Sequence, residues 1–238
     1  MRRNTILGNV LLQTMHIGLA VVLLLQYGAQ SAVSEPAASK DAVALDRSAG
    51  FDSALLELSV ASSELPDDYT IRGAVNWKDI KGLTEFLYID SDGHFKRDWA
   101  VLLGLEADKH GIDPLIVYEL LKIESGETFD PDAVGPKTRY GQAYGLAQFM
   151  ENTGPWIAEK AGMDYEKEKL FDPHYAIQLS VTYLSYLYEK YEDWDHALTA
   201  YHRGMTGLEK YIDENGDAAS WYAVEIQENA ELTASGRQ

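Results

Sequence analysis

Glu124 is a glutamate in the last turn of a predicted helix, and this position favours its protonated form. The helix begins with Asp113 as N-cap and Pro114 at the first helical position, and Gly126 is placed to end it. Residues 115–123 are apolar nearly all round, which predicts a core helix. A carboxyl at this end meets the negative end of the helix dipole and partial desolvation, and both raise its pKa. Such an acid is a candidate general acid of the kind that glycosidases use.

A second carboxylate would change the chemistry available to Glu124. Most glycosidases use two carboxylates, one as the acid and one as the nucleophile or base. A site with one carboxylate must recruit another nucleophile, such as the N-acetyl group of the substrate sugar. Glu127, Asp130 and Asp132 follow shortly after Glu124. The sequence leaves both arrangements open.

Helices are predicted over most of the chain from residue 99 onward. The first covers residues 99–110, and an acid–proline start at Asp172-Pro173 opens a long helix to about residue 191. Asp195 is predicted to cap a further helix that ends at Gly204. There is no β-hairpin signal, so the predicted fold class is mostly α. Two weaker helical segments lie at residues 208–212 and 221–226.

The composition excludes several classes of function. The 238 residues carry a net charge of −18, so there is no basic footprint for nucleic acid or for anionic lipid. The chain has no cysteine, which excludes disulfides, thiolate metal ligands, cysteine nucleophiles and a lipoprotein anchor. We expect no nucleic-acid partner.

The N-terminus has the pattern of an export signal. Arg2-Arg3 is followed by an apolar stretch at residues 17–25 and by small residues around a cleavage position after Ser31. We therefore predict a signal peptide at residues 1–31. The alternative is an uncleaved membrane anchor formed by residues 6–25. Either way, we predict an exported protein of the periplasm, cell wall or extracellular space.

The rest of the chain divides by composition into four parts. Residues 32–75 are predicted to be a spacer, partly disordered, because much of this stretch is small and polar. Residues 76–98 are predicted to be an N-terminal extension of a catalytic domain at residues 99–230. Residues 231–238 are predicted to be a tail.

Three segments lie in an order that is typical of one family. Together with two acid–proline helix starts, they resemble the soluble lytic transglycosylase (SLT) family, whose domain has a lysozyme-like fold. The resemblance covers about residues 99–229. The segments are Glu-Ser-Gly at 124–126, Gly-Leu-Ala-Gln-Phe-Met at 145–150 and Ala-Tyr-His-Arg-Gly at 200–204.

The resemblance implies a role for particular residues. Glu124 falls on the family's catalytic acid/base, and Tyr201 on a tyrosine close to it whose hydroxyl could orient the carboxyl. Gln148 and Met150 fall on positions that line the saccharide cleft. Ser125, at the helix end, could help to fix the following loop and is a predicted substrate contact.

The chain also departs from the family pattern. Ala147 replaces a methionine, and His202 replaces an asparagine but stays a predicted substrate contact, with a charge that titrates near pH 6.5. The loop between Glu124 and Gly145 is longer than usual, and a serine expected in it is Gly135 here. The residues that could replace this serine are Thr138, Arg139 and Tyr140.

We therefore expect a peptidoglycan lytic transglycosylase that cleaves the MurNAc-β-1,4-GlcNAc bond and forms 1,6-anhydro-MurNAc. The resemblance implies no metal and no organic cofactor. Two alternatives stay open: a hydrolytic muramidase on the same fold, and a non-catalytic glycan-binding module in an envelope-spanning assembly. The expected partners are peptidoglycan glycan strands, the membrane through the N-terminal segment, and an envelope machine.

Overall fold

The structure is a computed structural model that describes residues 50–57 and 77–236. The predicted signal or anchor and most of the predicted spacer lie outside these residues. The described chain is mostly helical, as predicted, with a two-stranded sheet of β1 (Ala143–Tyr144) and β2 (Phe149–Met150) and a 3-10 turn at Lys167–Phe171. The helices are α1 (Trp77–Asp90), α2 (Arg97–His110), α3 (Pro114–Ser125), α4 (Gly154–Ala161), α5 (Pro173–Tyr191), α6 (Trp194–Arg203), α7 (Met205–Asn215) and α8 (Trp221–Gly236).

Aspartate side chains cap the starts of α3, α5 and α6. Asp113 accepts a hydrogen bond from the Leu115 backbone N–H at the start of α3, as predicted. Asp172 does the same for α5, as predicted, and accepts from two backbone N–H groups. The predicted cap of α6 was wrong: Asp193 is the cap, and Asp195 lies in the first turn. An acid in either place is stabilised by the positive end of the helix dipole, so charge alone does not show which of the two aspartates is the cap.

Helix α3 is a core helix, as predicted. Its side chains from Leu115 to Leu121 are buried, and it packs against α2, α5 and α8. The buried set includes one carboxyl, Glu119, which accepts a hydrogen bond of 2.7 Å from the Thr233 hydroxyl of α8. Burial raises the pKa of Glu119. This contact and the apolar packing hold α8 against α3.

The predicted segment boundaries fall inside helices. The boundary between residues 98 and 99 lies within α2, and the boundary at residue 230 lies within α8, which continues to Gly236. Residues 50–57, assigned to the spacer, are helical, and Phe51 and Ala54 of this segment are buried in the core. The predicted spacer thus contains a short helix whose two apolar side chains, at helical spacing, pack in the core. The division into segments stays a prediction.

No hairpin signal is visible in the sequence, but a small antiparallel ribbon follows α3. β1 pairs with β2 in the register Ala143 to Met150, and isolated bridges join Val134 to Tyr144 and Thr138 to Gly141. Strands this short have no alternating pattern that a sequence could reveal. The ribbon orders the glycine-rich and proline-rich loop between α3 and α4.

Among the residues that the structure describes, no helix is both long and apolar enough to cross a membrane. The predicted anchor at residues 6–25 lies outside them.

His174 joins the start of α5 to α2. Its Nε2 lies 2.8 Å from Oδ2 of Asp98, and its Nδ1 lies 3.5 Å from Oδ1 of Asp172. Burial alone would lower the pKa of His174, but the two carboxylates outweigh it and raise the pKa to about 9. The same contact lowers the pKa of Asp172, chiefly through the hydrogen bond to His174. The imidazolium is therefore part of the folded structure near neutral pH.

Replacing His174 should destabilise the fold in a pH-dependent way. The folded-state pKa lies above the ordinary value, so this stabilisation is complete below about pH 6.5 and is lost as the pH rises through about 9. We expect His174→Gln to lower the free energy of unfolding by about 1–3 kcal/mol at pH 6, with the difference shrinking toward pH 10. Urea unfolding at several pH values measures it. His94→Gln, at an exposed histidine, is the control, and a difference independent of pH would contradict the assignment.

Candidate functional site

Glu124 lies in the last turn of α3, as predicted, and its side chain is half-buried. Burial of the carboxyl raises its pKa to about 7. A hydrogen bond donated by the Tyr222 hydroxyl to Oε1, at 2.6 Å, acts in the opposite direction and lowers the pKa. The other oxygen, Oε2, has no hydrogen-bond partner among the described residues. The carboxyl is thus held at one oxygen and open at the other. Its pKa lies near neutral pH, so both protonation states are accessible there.

Tyr222, which sequence reasoning missed, is fixed at the start of α8. Its side chain is buried, and burial raises the pKa of the phenol well above its ordinary value, so the hydroxyl stays a donor. The turn before it is tied to α6, because the Thr199 hydroxyl donates to the Ala218 carbonyl at 2.7 Å and lies 2.6 Å from the Ser220 hydroxyl. Ser220 in turn accepts from the Ala223 N–H. Tyr222 is therefore a positioning residue for Glu124.

Tyr201 lies near the carboxyl but does not hold it by a hydrogen bond. Its hydroxyl donates to the Ala147 carbonyl at 3.1 Å, and its ring packs against Phe149 and Tyr183 at centroid distances of 5.7 and 5.2 Å. Our prediction that the Tyr201 hydroxyl orients Glu124 was therefore wrong. The hydroxyl instead ties α6 to the Gly-Leu-Ala-Gln segment. The part of Tyr201 in substrate binding stays a prediction.

His202 packs on the ring that holds the acid. Its imidazole stacks on Tyr222 at a centroid distance of 4.5 Å, while the outer side of the residue is exposed. Burial of the stacked ring, together with the nearby Arg203 guanidinium, lowers the pKa of His202. We expected titration near pH 6.5; the structure moves it to lower pH, so the imidazole is neutral at pH 7.

Gln148 braces the loop that leads to the site. Its Nε2 donates to the carbonyls of Ala133 and Gly145 at 3.1 and 2.8 Å, which fixes the amide through its nitrogen. A Cβ at Gly135 would lie 2.9 Å from Oε1 of Gln148, so the glycine found in place of the expected serine gives this amide its room. Met150, at the end of β2, is half-buried. The predicted contacts of Gln148 and Met150 with the sugar stay predictions.

Two hydroxyls that were predicted contacts are used within the protein. The Ser125 hydroxyl donates to the Leu121 carbonyl at 2.7 Å, one turn back in α3, and the Ser125 carbonyl accepts from the Asp130 N–H. The Thr138 hydroxyl donates to the Gly141 carbonyl at 2.8 Å and closes the tip of the ribbon. Arg139 and Tyr140 contact each other at this exposed tip. Both hydroxyls retain lone pairs that can accept a hydrogen bond.

The three carboxylates that follow Glu124 in the sequence do not contact its carboxyl group. Glu127 is 85% exposed and pairs with Lys122 at 3.4 Å. Asp130 and Asp132 are exposed, and Asp130 accepts from the Asp132 N–H. The pKa of Glu124 is set by burial and by Tyr222, with no carboxylate among the causes. The described residues thus give a site with one carboxyl.

Gly145 permits a close approach between two parts of the chain. Its φ is +72°, and a Cβ there would lie 1.8 Å from the Leu170 carbonyl oxygen. Its backbone N–H donates to the Ala133 carbonyl at 2.8 Å. The glycine that opens the Gly-Leu-Ala-Gln segment thus seats that segment against the turn before α5.

The chain belongs to the family described as the transglycosylase SLT domain, whose sequence profile matches residues 102–224. This match covers all three segments used above and Tyr222, and it confirms the resemblance. A crystal structure of an inactive mutant of the lytic transglycosylase Slt from Pseudomonas aeruginosa is similar over 68% of this chain and 31% of that chain, with 17% identity and a TM-score of 0.48. The chain thus spans under a third of that protein's length. A comparison with curated proteins gave no match.

A methyl group at Gly145 should be strongly destabilising. Because the clash is with backbone, no side-chain rotation can relieve it, and we expect Gly145→Ala to cost about 3 kcal/mol or more in free energy of unfolding. Gly111→Ala is the matched control, since Gly111 also has a positive φ but nothing lies within 4 Å of its Cβ position. Its cost should be about 1 kcal/mol. Chemical unfolding that gave equal costs would contradict the close approach.

Proposed function

We propose that this protein is a lytic transglycosylase that cleaves peptidoglycan strands between MurNAc and GlcNAc. The observation that carries the proposal is the Glu124 carboxyl, with a pKa of about 7 and one oxygen held by Tyr222. A group with a pKa near neutrality can both give up and take back a proton within one reaction cycle. Membership of the SLT family supports the choice of substrate.

In the first step, Glu124 acts as the acid. Its proton passes to the glycosidic oxygen, and the bond from that oxygen to C1 of MurNAc breaks as the GlcNAc hydroxyl leaves. The oxygen of the MurNAc N-acetyl group then bonds to C1 and takes up the positive charge, as in substrate-assisted glycosidases. The absence of a nearby second carboxylate among the described residues supports this role for the substrate.

In the second step, the Glu124 carboxylate acts as the base. It takes the proton of the MurNAc 6-hydroxyl while that oxygen attacks C1, which releases the N-acetyl oxygen and forms the 1,6-anhydro ring. Glu124 is protonated again, and no water is consumed. The hydrogen bond from Tyr222 stabilises the carboxylate between the two steps.

We also propose that the protein acts outside the cytoplasm, where its substrate lies. The support is the sequence pattern of residues 1–31, read as a cleaved signal or as an anchor at residues 6–25.

The products of purified peptidoglycan should identify the reaction. We expect wild-type protein to release muropeptides with anhydro-MurNAc ends, and Glu124→Gln to lose about a thousandfold or more in rate while keeping its thermal unfolding curve. Mass spectrometry of the digests measures both. Reducing MurNAc ends would instead identify a hydrolytic muramidase. No cleavage by the wild type would favour a glycan-binding module, and an active Glu124→Gln would remove Glu124 from the mechanism.

The dependence of the cleavage rate on pH should report the protonation of Glu124. The acid must be protonated to cleave, so the rate should fall as the pH rises through about 7. Tyr222→Phe removes a contact that lowers this pKa, so its alkaline limb should move to higher pH, with a rate loss of about 10–100-fold. Tyr201→Phe is the comparison: its hydroxyl bonds the Ala147 carbonyl, so the limb should stay in place. Identical limbs in the three proteins would contradict the role given to Tyr222.

A further inference from the structure

Trp221 is an exposed indole next to the site. It is 56% exposed, although a tryptophan in a soluble domain normally has most of its surface buried. It begins α8 and directly precedes Tyr222, whose hydroxyl bonds Glu124 at 2.6 Å. Trp221 is not needed to cap α8, because the Ser220 hydroxyl accepts from the Ala223 N–H at the start of this helix.

The indole is held by its neighbours. It lies at centroid distances of 5.7 Å from both His202 and Tyr222, with interplanar angles of 75° and 84°. Those two rings are nearly parallel to each other, at 24°. Edge-to-face contacts of this kind fix the ring plane. The result is a preformed group of three rings, in which Tyr222 is buried and contacts the acid while Trp221 and His202 reach the solvent.

This arrangement fits the surface of a pyranose. The β-1,4-linked N-acetylhexosamines have equatorial substituents, so their axial C–H groups form apolar ring faces that pack on aromatic rings. A neutral imidazole beside the indole offers one donor and one acceptor for the sugar's hydroxyl or amide groups. The lowered pKa of His202 keeps that imidazole neutral at pH 7. A rigid aromatic also loses little conformational entropy when a ligand binds.

We propose that Trp221, with His202 beside it, forms the wall of a sugar subsite adjoining Glu124, and that this subsite binds an N-acetylhexosamine ring of the glycan strand. The proposal rests on the proposed function for the identity of the sugar. It assigns Trp221 a role in substrate affinity and leaves the proton chemistry to Glu124.

Binding of chitotetraose, a β-1,4-linked N-acetylglucosamine oligomer, tests the subsite without cleavage. Calorimetry on the full chain carrying Glu124→Gln gives the reference Kd. Adding Trp221→Ala should raise the Kd about tenfold or more, while Trp221→Phe should stay within about threefold because a ring remains. Leu232→Ala is the matched control, since Leu232 is 70% exposed on the same helix and should leave the Kd unchanged. In the active protein, Trp221→Ala should raise KM on peptidoglycan with little change in kcat.

Two kinds of result would overturn the proposal. An unchanged Kd in Trp221→Ala, or no binding of chitotetraose by the reference protein, would remove the subsite. A fall in kcat with a shifted alkaline limb and an unchanged Kd would show that Trp221 only supports Tyr222. The proposed function fails separately: a wild-type protein that releases no product while Trp221 still governs oligosaccharide affinity would keep the subsite and lose the catalysis.

Discussion

The site depends on keeping one carboxyl group out of water. Desolvation disfavours the carboxylate and so holds the proton on Glu124, which is the state that a general acid needs. A buried carboxyl without partners would hold its proton too tightly to take part in the proposed second, basic step. The phenol of Tyr222 corrects this, because it stabilises the ionised form at one oxygen. These two opposing effects together, rather than either alone, bring the pKa of Glu124 near neutrality.

This balance in turn requires α8 to be fixed against α3 and α6. Thr233 of α8 donates to the buried Glu119 of α3, and Thr199 of α6 holds the turn at Ala218 just before α8 starts. Each contact satisfies a polar group that would otherwise be costly to bury. The last helix is therefore tied to α3 by one contact and to α6 by the other, and both position Tyr222.

Local chemistry made much of this predictable from the sequence. The N-caps Asp113 and Asp172 and the helix-end position of Glu124 follow from neighbours within a few residues, so the helices that carry them were predicted with their starts correct. Tyr222 was not found because its partner lies 98 residues away, and only the packed helices bring the two together. The role given to Tyr201 failed because proximity in the family pattern does not fix where a hydroxyl points. The Tyr201 hydroxyl donates its hydrogen bond to the Ala147 carbonyl instead.

The separation of Glu124 and Tyr222 along the chain also fixes when the acid is completed. Synthesis proceeds from the N-terminus, so α3 exists well before residue 222 is added. Until α8 docks, the Glu124 carboxyl lacks the Tyr222 hydroxyl that holds its Oε1 atom. A chain without a docked α8 therefore carries the proposed acid without its positioning residue. For an enzyme proposed to cleave peptidoglycan, the complete arrangement around its acid therefore waits for the last helix.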